Sequence, residues 1–184
     1  MEITDTFYAP SRADWRAWLE ANHATAREIW LIMVRKDSKI PSVGYVEAVE
    51  EALCFGWIDG IAKAIDGERR AQRFTPRKPK GNWTELNKER ARRLIAAGLM
   101  TDAGYAVLPD LSPERFQIAP DILAALQADP VVWANFQAFP DLYQRVRIGN
   151  VEEQRKRNPA EFERRLATLI EKTRQNKQYG GPLE

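Results

Sequence analysis

An Asp-Gly pair at residues 66 and 67 separates two strand-like runs in a chain that is otherwise patterned mainly for helices. The first run covers residues 57–65 and the second covers residues 69–77. Asp-Gly adopts the backbone of a tight turn readily, so this arrangement is a strong short-range signal for a β-hairpin. Any fold of this chain must therefore contain an antiparallel sheet against which the neighbouring helices pack.

The segments before the hairpin supply a further strand and two helices. Residues 28–36 form a short, apolar and β-branched run, which predicts a strand buried on both faces. Ser11 is a suitable N-cap for a helix that carries Trp15 and Trp18 on one face. Residues 45–55 repeat apolar side chains at helical spacing, which predicts a second amphipathic helix.

A helix is also predicted after the hairpin, over residues 82–98. Asn82 and Glu85 have the spacing of a capping-box variant, and Gly98 is placed to end the helix. On a helical wheel Asn87 falls in the middle of the apolar arc, while Glu85 falls on the solvent side. An asparagine in an apolar arc either satisfies backbone groups of a neighbouring loop or lines a pocket.

The remainder of the chain is patterned for helices alone. Four apolar segments with helical periodicity each begin at a proline, namely Pro120, Pro130, Pro140 and Pro159. We therefore predict an α+β fold, with a small antiparallel sheet of about three strands packed with helices and an all-helical C-terminal part. The predicted domains are residues 1–112, which hold the sheet, and residues 113–184, a helical region packed on the first domain.

Composition narrows the classes of function. The 184 residues include one cysteine and one histidine, which excludes an intrachain disulfide and a Cys/His zinc site. We find neither a secretory signal nor an apolar membrane span, and we expect a cytoplasmic protein. The 28 basic and 26 acidic residues give a net charge of +2, too small to indicate nucleic-acid binding by the whole molecule.

Several common catalytic motifs are missing. The chain has no GxxxxGK[ST] loop, GxSxG elbow, HExxH helix or GxGxxG turn. Common nucleotide hydrolases, serine hydrolases and zinc peptidases are therefore poor candidates. We assign no catalytic residue, no metal ligand and no cofactor from the sequence.

Asp59 is an unusual residue in the first strand of the hairpin. Alternation places it on one face with Trp57 and Ile61, together with Lys63. A carboxylate in an apolar setting must be paired, hydrogen-bonded or directed into a cavity, because unpaired burial is costly. An ion pair with Arg73 of the next strand is one interpretation, and it depends on the strand register.

The chain has one cationic patch, which lies between residues 69 and 84, where no acid occurs. Its basic residues are Arg69, Arg70, Arg73, Arg77, Lys78 and Lys80. Clustered guanidiniums suit phosphate groups, and Trp83 at the end of this patch can stack on a base. The alternative is a solvated face that balances the acidic side of the preceding helix.

Several motifs resemble the bacterial YdeI/OmpD-associated family, also labelled bacteriocin-protection proteins. They are Val49-Glu50-Glu51-Ala52-Leu53-Cys54-Phe55-Gly56-Trp57-Ile58-Asp59-Gly60, Gln72-Arg73-Phe74-Thr75-Pro76-Arg77, Trp83, Asn87-Lys88 and Arg92-Arg93-Leu94-Ile95. The match is specific over residues 45–100 and looser in the helical part. The family name implies association with an outer-membrane porin and resistance to membrane-active antibacterials, without an agreed reaction.

Three functions follow from these observations. The first is a cytoplasmic stress or antibacterial-resistance accessory protein that binds an anionic or aromatic small ligand. Its predicted pocket is formed by Trp57, Asp59, Arg73, Arg77, Trp83 and Asn87. The second is nucleic-acid binding through the basic hairpin and loop at residues 69–80. The third is an enzyme that uses Asp59 as a general acid or base.

Overall fold

The computed structural model describes residues 2–35, 37–78, 81–181 and 183. Two residues of the predictions lie outside the described residues: Lys36, of the strand predicted over residues 28–36, and Lys80, of the cationic patch. The strands are β1 (Thr6–Tyr8), β2 (Ile29–Val34), β3 (Trp57–Ala64) and β4 (Arg69–Pro76). The helices are α1 (Arg12–Asn22), α2 (Tyr45–Cys54), α3 (Glu85–Ala96), α4 (Asp102–Tyr105), α5 (Pro120–Gln127), α6 (Pro130–Ala138), α7 (Asp141–Glu152) and α8 (Pro159–Arg174), with a 3₁₀ turn at Pro113–Arg115.

The strands form one mixed sheet in the order β1-β2-β4-β3. β4 pairs antiparallel with both β2 and β3, whereas β1 pairs parallel with β2, placing Phe7 beside Leu31. The α+β class is confirmed, and the hairpin around Asp66 is present. The prediction of about three antiparallel strands was wrong in one respect, because a fourth strand, β1, pairs parallel with β2 and makes the sheet mixed.

A β-bulge interrupts β3. Gly60 and Ile61 together stand opposite Arg73, because the register shifts by one residue between Asp59 and the next paired position. An extra residue reverses the alternation of side chains beyond it. The assignment of Ile61 and Lys63 to the face of Asp59 was therefore wrong.

Tryptophans of α1 join the sheet to α2. The indole Nε1 of Trp15 donates a 3.0 Å hydrogen bond to the carbonyl oxygen of Ala48, and its ring centroid lies 5.2 Å from that of Phe74. Trp18 meets Trp57 edge to face at 5.8 Å. Aromatic pairs of this kind bury large apolar areas and fix ring orientation, so they hold β3 and α2 in place.

The C-terminal end of α3 agrees with its prediction, whereas the N-terminal end does not. Thr84, not Asn82, caps the helix, since the Asn87 amide donates a 3.2 Å hydrogen bond to the Thr84 hydroxyl. Gly98 ends it at a φ of 68°, as predicted. The predicted exposure of Glu85 was wrong, because this residue is only 7% exposed.

The chain divides into two compact units, Met1–Asn82 with Arg90–Asp110, and Trp83–Glu89 with Leu111–Glu184. The first contains the sheet, α1, α2 and α4. Helices α5 to α8 of the second surround an apolar core that includes Ile122, Leu126, Phe136 and Leu169. Among the described residues, no helix has the length and apolar character needed to cross a membrane.

Candidate ligand-binding site

Tyr45, the first residue of α2, reaches β3. Its hydroxyl donates a 2.6 Å hydrogen bond to Asp59 Oδ2. The start of the helix is fixed by Glu47, whose Oε2 accepts a 2.9 Å hydrogen bond from the Gly44 amide. The polar partner that Asp59 requires is therefore Tyr45, supplied by the preceding helix.

Arg73 has a different partner. Asp59 lies opposite Phe74 in the register, so the neighbouring Arg73 projects from the other face of the sheet. Its Nε donates a 2.8 Å hydrogen bond to Glu28 Oε2. Hydrogen bonds from Thr4 and Arg73 lower the pKa of Glu28 below its usual value. The predicted pairing of Arg73 with Asp59 is not formed.

Arg77 and Arg90 are the buried cations whose charges interact with Asp59. Arg77 is 6% exposed and its Nη1 donates a 3.3 Å hydrogen bond to the Asn82 carbonyl oxygen. Burial lowers the pKa of Arg77, and the charge of Asp59 acts in the opposite direction. Arg90 is 8% exposed, and burial likewise lowers its pKa against the charges of nearby acids, Asp59 included.

The other residues of the predicted pocket lie elsewhere. Trp57 is 1% exposed, and its Nε1 donates a 3.2 Å hydrogen bond to the His23 carbonyl oxygen. Trp83 and Asn87 belong to the second compact unit, whereas the other four residues belong to the first. Of the six residues, Asp59 and Arg77 interact through their charges, and a pocket formed by all six stays a prediction.

An open groove of about 930 Å³ lies beside the Tyr45 ring. Its walls come from the end of β2, the described part of the connection to α2, the first turn of α2 and the tip of the β3–β4 hairpin. Three apolar side chains on its surface are unusually exposed: Ile40 at 47%, Tyr45 at 40% and Val46 at 42%. The groove thus offers an apolar wall to a ligand.

Arg70 is the groove's distinctive cation. The other two arginines of the groove have carboxylate partners. Arg35 forms an ion pair with Asp37 at 3.2 Å, and Arg69 forms one with Asp66 at 2.7 Å. Arg70 has no carboxylate partner among the described residues, and its guanidinium carbon lies 5.6 Å from the centre of the Tyr45 ring. It is a cation that remains available to an anionic group of a ligand.

The sequence places Arg70 in the cationic patch, but the pocket predicted from sequence does not include it. Alternation along β4 puts Arg70, Gln72 and Phe74 on one face, but nothing in the sequence places that face beside Tyr45. The described residues of the cationic patch do not form one continuous exposed surface, because Arg73 forms an ion pair with Glu28.

These features define an α+β unit with a groove at its hairpin, joined to a helical domain. The chain belongs to the family described as "Domain of unknown function (DUF8412)", whose profile matches residues 7–107. Residues 115–176 are a domain of the family described as "Bacteriocin-protection, YdeI or OmpD-Associated". No curated protein and no solved structure shows significant similarity to the chain.

The family resemblance inferred from the sequence is confirmed, but its position differs. The bacteriocin-protection profile matches the helical part, where the resemblance is the looser one. The motifs of residues 45–100 fall within the DUF8412 profile. The site around Tyr45 therefore belongs to the domain of unknown function.

Proposed function

We propose that the first compact unit binds a small ligand carrying an aromatic or apolar part and an acidic group, in the groove between the hairpin tip and α2. The observation that carries this proposal is the guanidinium of Arg70, which lies over the Tyr45 ring without a carboxylate partner among the described residues. The role is that of an accessory protein in stress or antibacterial resistance, in keeping with the bacteriocin-protection domain in the same chain.

The dimensions and surface of the groove support a small molecule. Its volume of about 930 Å³ falls within the range of roughly 300 to 1,000 Å³ that small-molecule sites occupy. Ile40, Tyr45 and Val46 can cover a ring, which would remove apolar surface from water on both partners. Arg70 can then bind a carboxylate or phosphate through two parallel hydrogen bonds.

Asp59 acts in this proposal by holding the aromatic wall of the groove. Its bond to the Tyr45 hydroxyl orients the ring before a ligand arrives, which lowers the ordering cost of binding. Arg77 and Arg90 partly offset the charge of Asp59. Asp59, a member of the pocket predicted from sequence, thus positions the Tyr45 ring, and Arg77, another member, supplies positive charge that acts on Asp59.

Calorimetric titration of the full chain tests the proposal. The panel comprises aromatic carboxylates, nucleotides and phosphorylated metabolites. For a compound that binds the wild-type chain, Arg70→Gln should weaken affinity at least about tenfold, which corresponds to roughly 1.4 kcal/mol. Arg35→Gln is the matched control, because it removes the same charge from a groove arginine that already pairs with Asp37, and its effect should be smaller.

Equal affinities for the wild type and Arg70→Gln would contradict the proposal. Binding of single- or double-stranded nucleic acid that falls steeply with salt would instead favour the basic hairpin as a nucleic-acid surface. The proposal also places the protein in the cytoplasm, which fractionation of cells producing the untagged chain would test.

A further inference from the structure

Arg147, on α7, is a buried cation in the second compact unit. It is 7% exposed, and its guanidinium carbon lies 5.2 Å from the centre of the Tyr143 ring and 5.1 Å from that of the Tyr179 ring. Its Nε is buried without a hydrogen-bond partner. No acid of the described residues forms an ion pair with it.

The two rings do not replace an anionic partner. A guanidinium stacked on an aromatic ring gains roughly 0.5 to 2 kcal/mol. Burying an unpaired charge costs several kcal/mol, roughly, so buried charges are ordinarily paired. The surroundings of Arg147 are therefore electrostatically incomplete without an anion.

Arg147 lines a cavity of about 350 Å³ between α7, α8 and the segment after α8. The same cavity is lined by Arg164 and Arg165, which share one carboxylate, Glu161, at 2.7 Å each. Hydrogen bonds from these two arginines lower the pKa of Glu161 to about 2, so it is ionised at neutral pH. The cavity lining therefore contains three guanidiniums and one carboxylate, which gives it a net charge of +2.

Gly180 brings the chain against Arg147. It has a φ of 90°, and a Cβ built there would lie 2.3 Å from Arg147 Nη1. The backbone is held nearby because the Tyr179 amide donates a 3.2 Å hydrogen bond to the Tyr143 hydroxyl. Glycine thus lets the segment after α8 cover the guanidinium while Tyr179 remains part of the cavity wall.

We propose that this cavity binds a small oxyanion, the phosphate or carboxylate group of a small molecule, with Arg147 as its central donor. The planar guanidinium matches two oxygens of either group, and Arg164 and Arg165 supply further positive charge. The volume accommodates a compact ligand. The site lies in the second compact unit and is independent of the groove beside Tyr45.

Titration of the full chain with inorganic phosphate, and separately with citrate, tests this site. Binding is followed by calorimetry and by the rise in melting temperature. The wild type should bind at least one probe saturably, and Arg147→Gln should weaken that binding at least tenfold. Arg155→Gln is the matched control, because Arg155 is already paired with Asp121 and Glu152 and lies outside the cavity lining.

Absence of saturable binding by the wild type at millimolar concentrations of both probes would overturn the proposal. Unchanged binding in Arg147→Gln would also overturn it. If circular dichroism shows that Arg147→Gln does not fold, probe binding is measured with Arg164→Gln instead. This variant should fold, because the Arg164 side chain is 70% exposed. A loss of affinity of threefold or more in this variant supports the site, and a smaller change overturns it. Preference for phosphate or for citrate identifies the acidic group of the ligand.

Discussion

The hydroxyl of Tyr45 donates a 2.6 Å hydrogen bond to Asp59, and this bond joins the first turn of α2 to β3. It gives the carboxylate a partner and fixes the ring that Arg70 covers. The groove proposed as a ligand site is therefore organised by a contact between two residues 14 positions apart. Its consequences for stability can be measured without knowing the ligand.

Tyr45→Phe should change the dependence of stability on high pH. Partial burial and the bond to Asp59 raise the pKa of Tyr45 from 10.0 to about 12. The stabilisation is fully present below pH 10, where both states hold the proton, and is lost as the pH rises toward 12. Near neutral pH the free energy of unfolding of the variant should be about 1 kcal/mol below that of the wild type. The difference is small because Tyr45 is partly exposed to solvent. Its free energy of unfolding should then fall less steeply in the alkaline range.

Tyr105→Phe is the control, because Tyr105 is 49% exposed and its hydroxyl has no hydrogen-bond partner among the described residues. Denaturant unfolding at several pH values gives the two curves. Parallel curves for the wild type and Tyr45→Phe between pH 10 and 12 would contradict the role assigned to this bond.

Glu51→Gln should destabilise the first unit. Glu51 is 2% exposed and binds Arg12 at 2.5 Å and Arg16 at 2.8 Å, which ties α2 to α1. Burial alone would lower the pKa of Arg12, but bonds to Glu51 and Glu50 raise it overall. Removing one partner of a buried ion pair costs roughly 3 kcal/mol. Urea unfolding measures this loss.

Glu20→Gln provides the comparison for that experiment. Glu20 binds the same Arg16 at 3.2 Å, but its side chain is 57% exposed. Its replacement should cost less than about 0.5 kcal/mol, as is usual for surface pairs. Similar losses in both variants would show that the burial of Glu51 has no energetic importance.

Much of the fold was predictable because local chemistry determines it. Ser11 caps α1 through its side chain, and Asp129 and Asn158 cap α6 and α8. Prolines stand at the first position of α5, α6 and α8, where the backbone N–H that proline lacks would have no partner within the helix. Caps, prolines and the hairpin turn all act within a few residues, so the sequence shows them directly.

The candidate site was less predictable because it depends on register and tertiary contact. The bulge at Gly60 and Ile61 leaves no clear pattern in the sequence, yet it reverses the faces of the residues that follow. Arg73 turns to Glu28, 45 residues away, and no local rule reveals this pairing. Arg70 became a candidate only once Tyr45 and the hairpin tip were seen around one groove.

Gly104→Ala should destabilise the chain through a direct clash. A Cβ at this position of α4 would lie 2.3 Å from the Cys54 carbonyl oxygen and 2.3 Å from the Met100 sulfur. The backbone of α2's last residue cannot move away without disturbing the core, so we expect a loss of about 2 kcal/mol or more.

Gly67→Ala is the matched substitution for that test. At the hairpin tip an added Cβ meets nothing within 4 Å. Its effect should stay within about 0.5 kcal/mol. Thermal unfolding of both variants makes the comparison, and a larger loss from Gly67→Ala than from Gly104→Ala would contradict the packing described for α4.

The thiol of Cys54 should resist modification in the folded chain. Burial, together with the nearby charge of Glu51, raises the pKa of Cys54 to about 11. Both access and thiolate concentration are therefore low at neutral pH. Labelling with a chromogenic disulfide reagent should be at least a hundredfold slower in buffer than in denaturant. Comparable rates in the two conditions would show that the end of α2 opens readily.

The most direct test of the central claim is a crystal structure of the full chain soaked with an aromatic carboxylate selected by the calorimetric titrations. We expect density for the ring against Tyr45 and Val46, with the carboxylate within hydrogen-bond distance of the Arg70 guanidinium. A compound that binds in solution but lies elsewhere in the crystal, leaving Arg70 and the groove unoccupied, would contradict the proposed function.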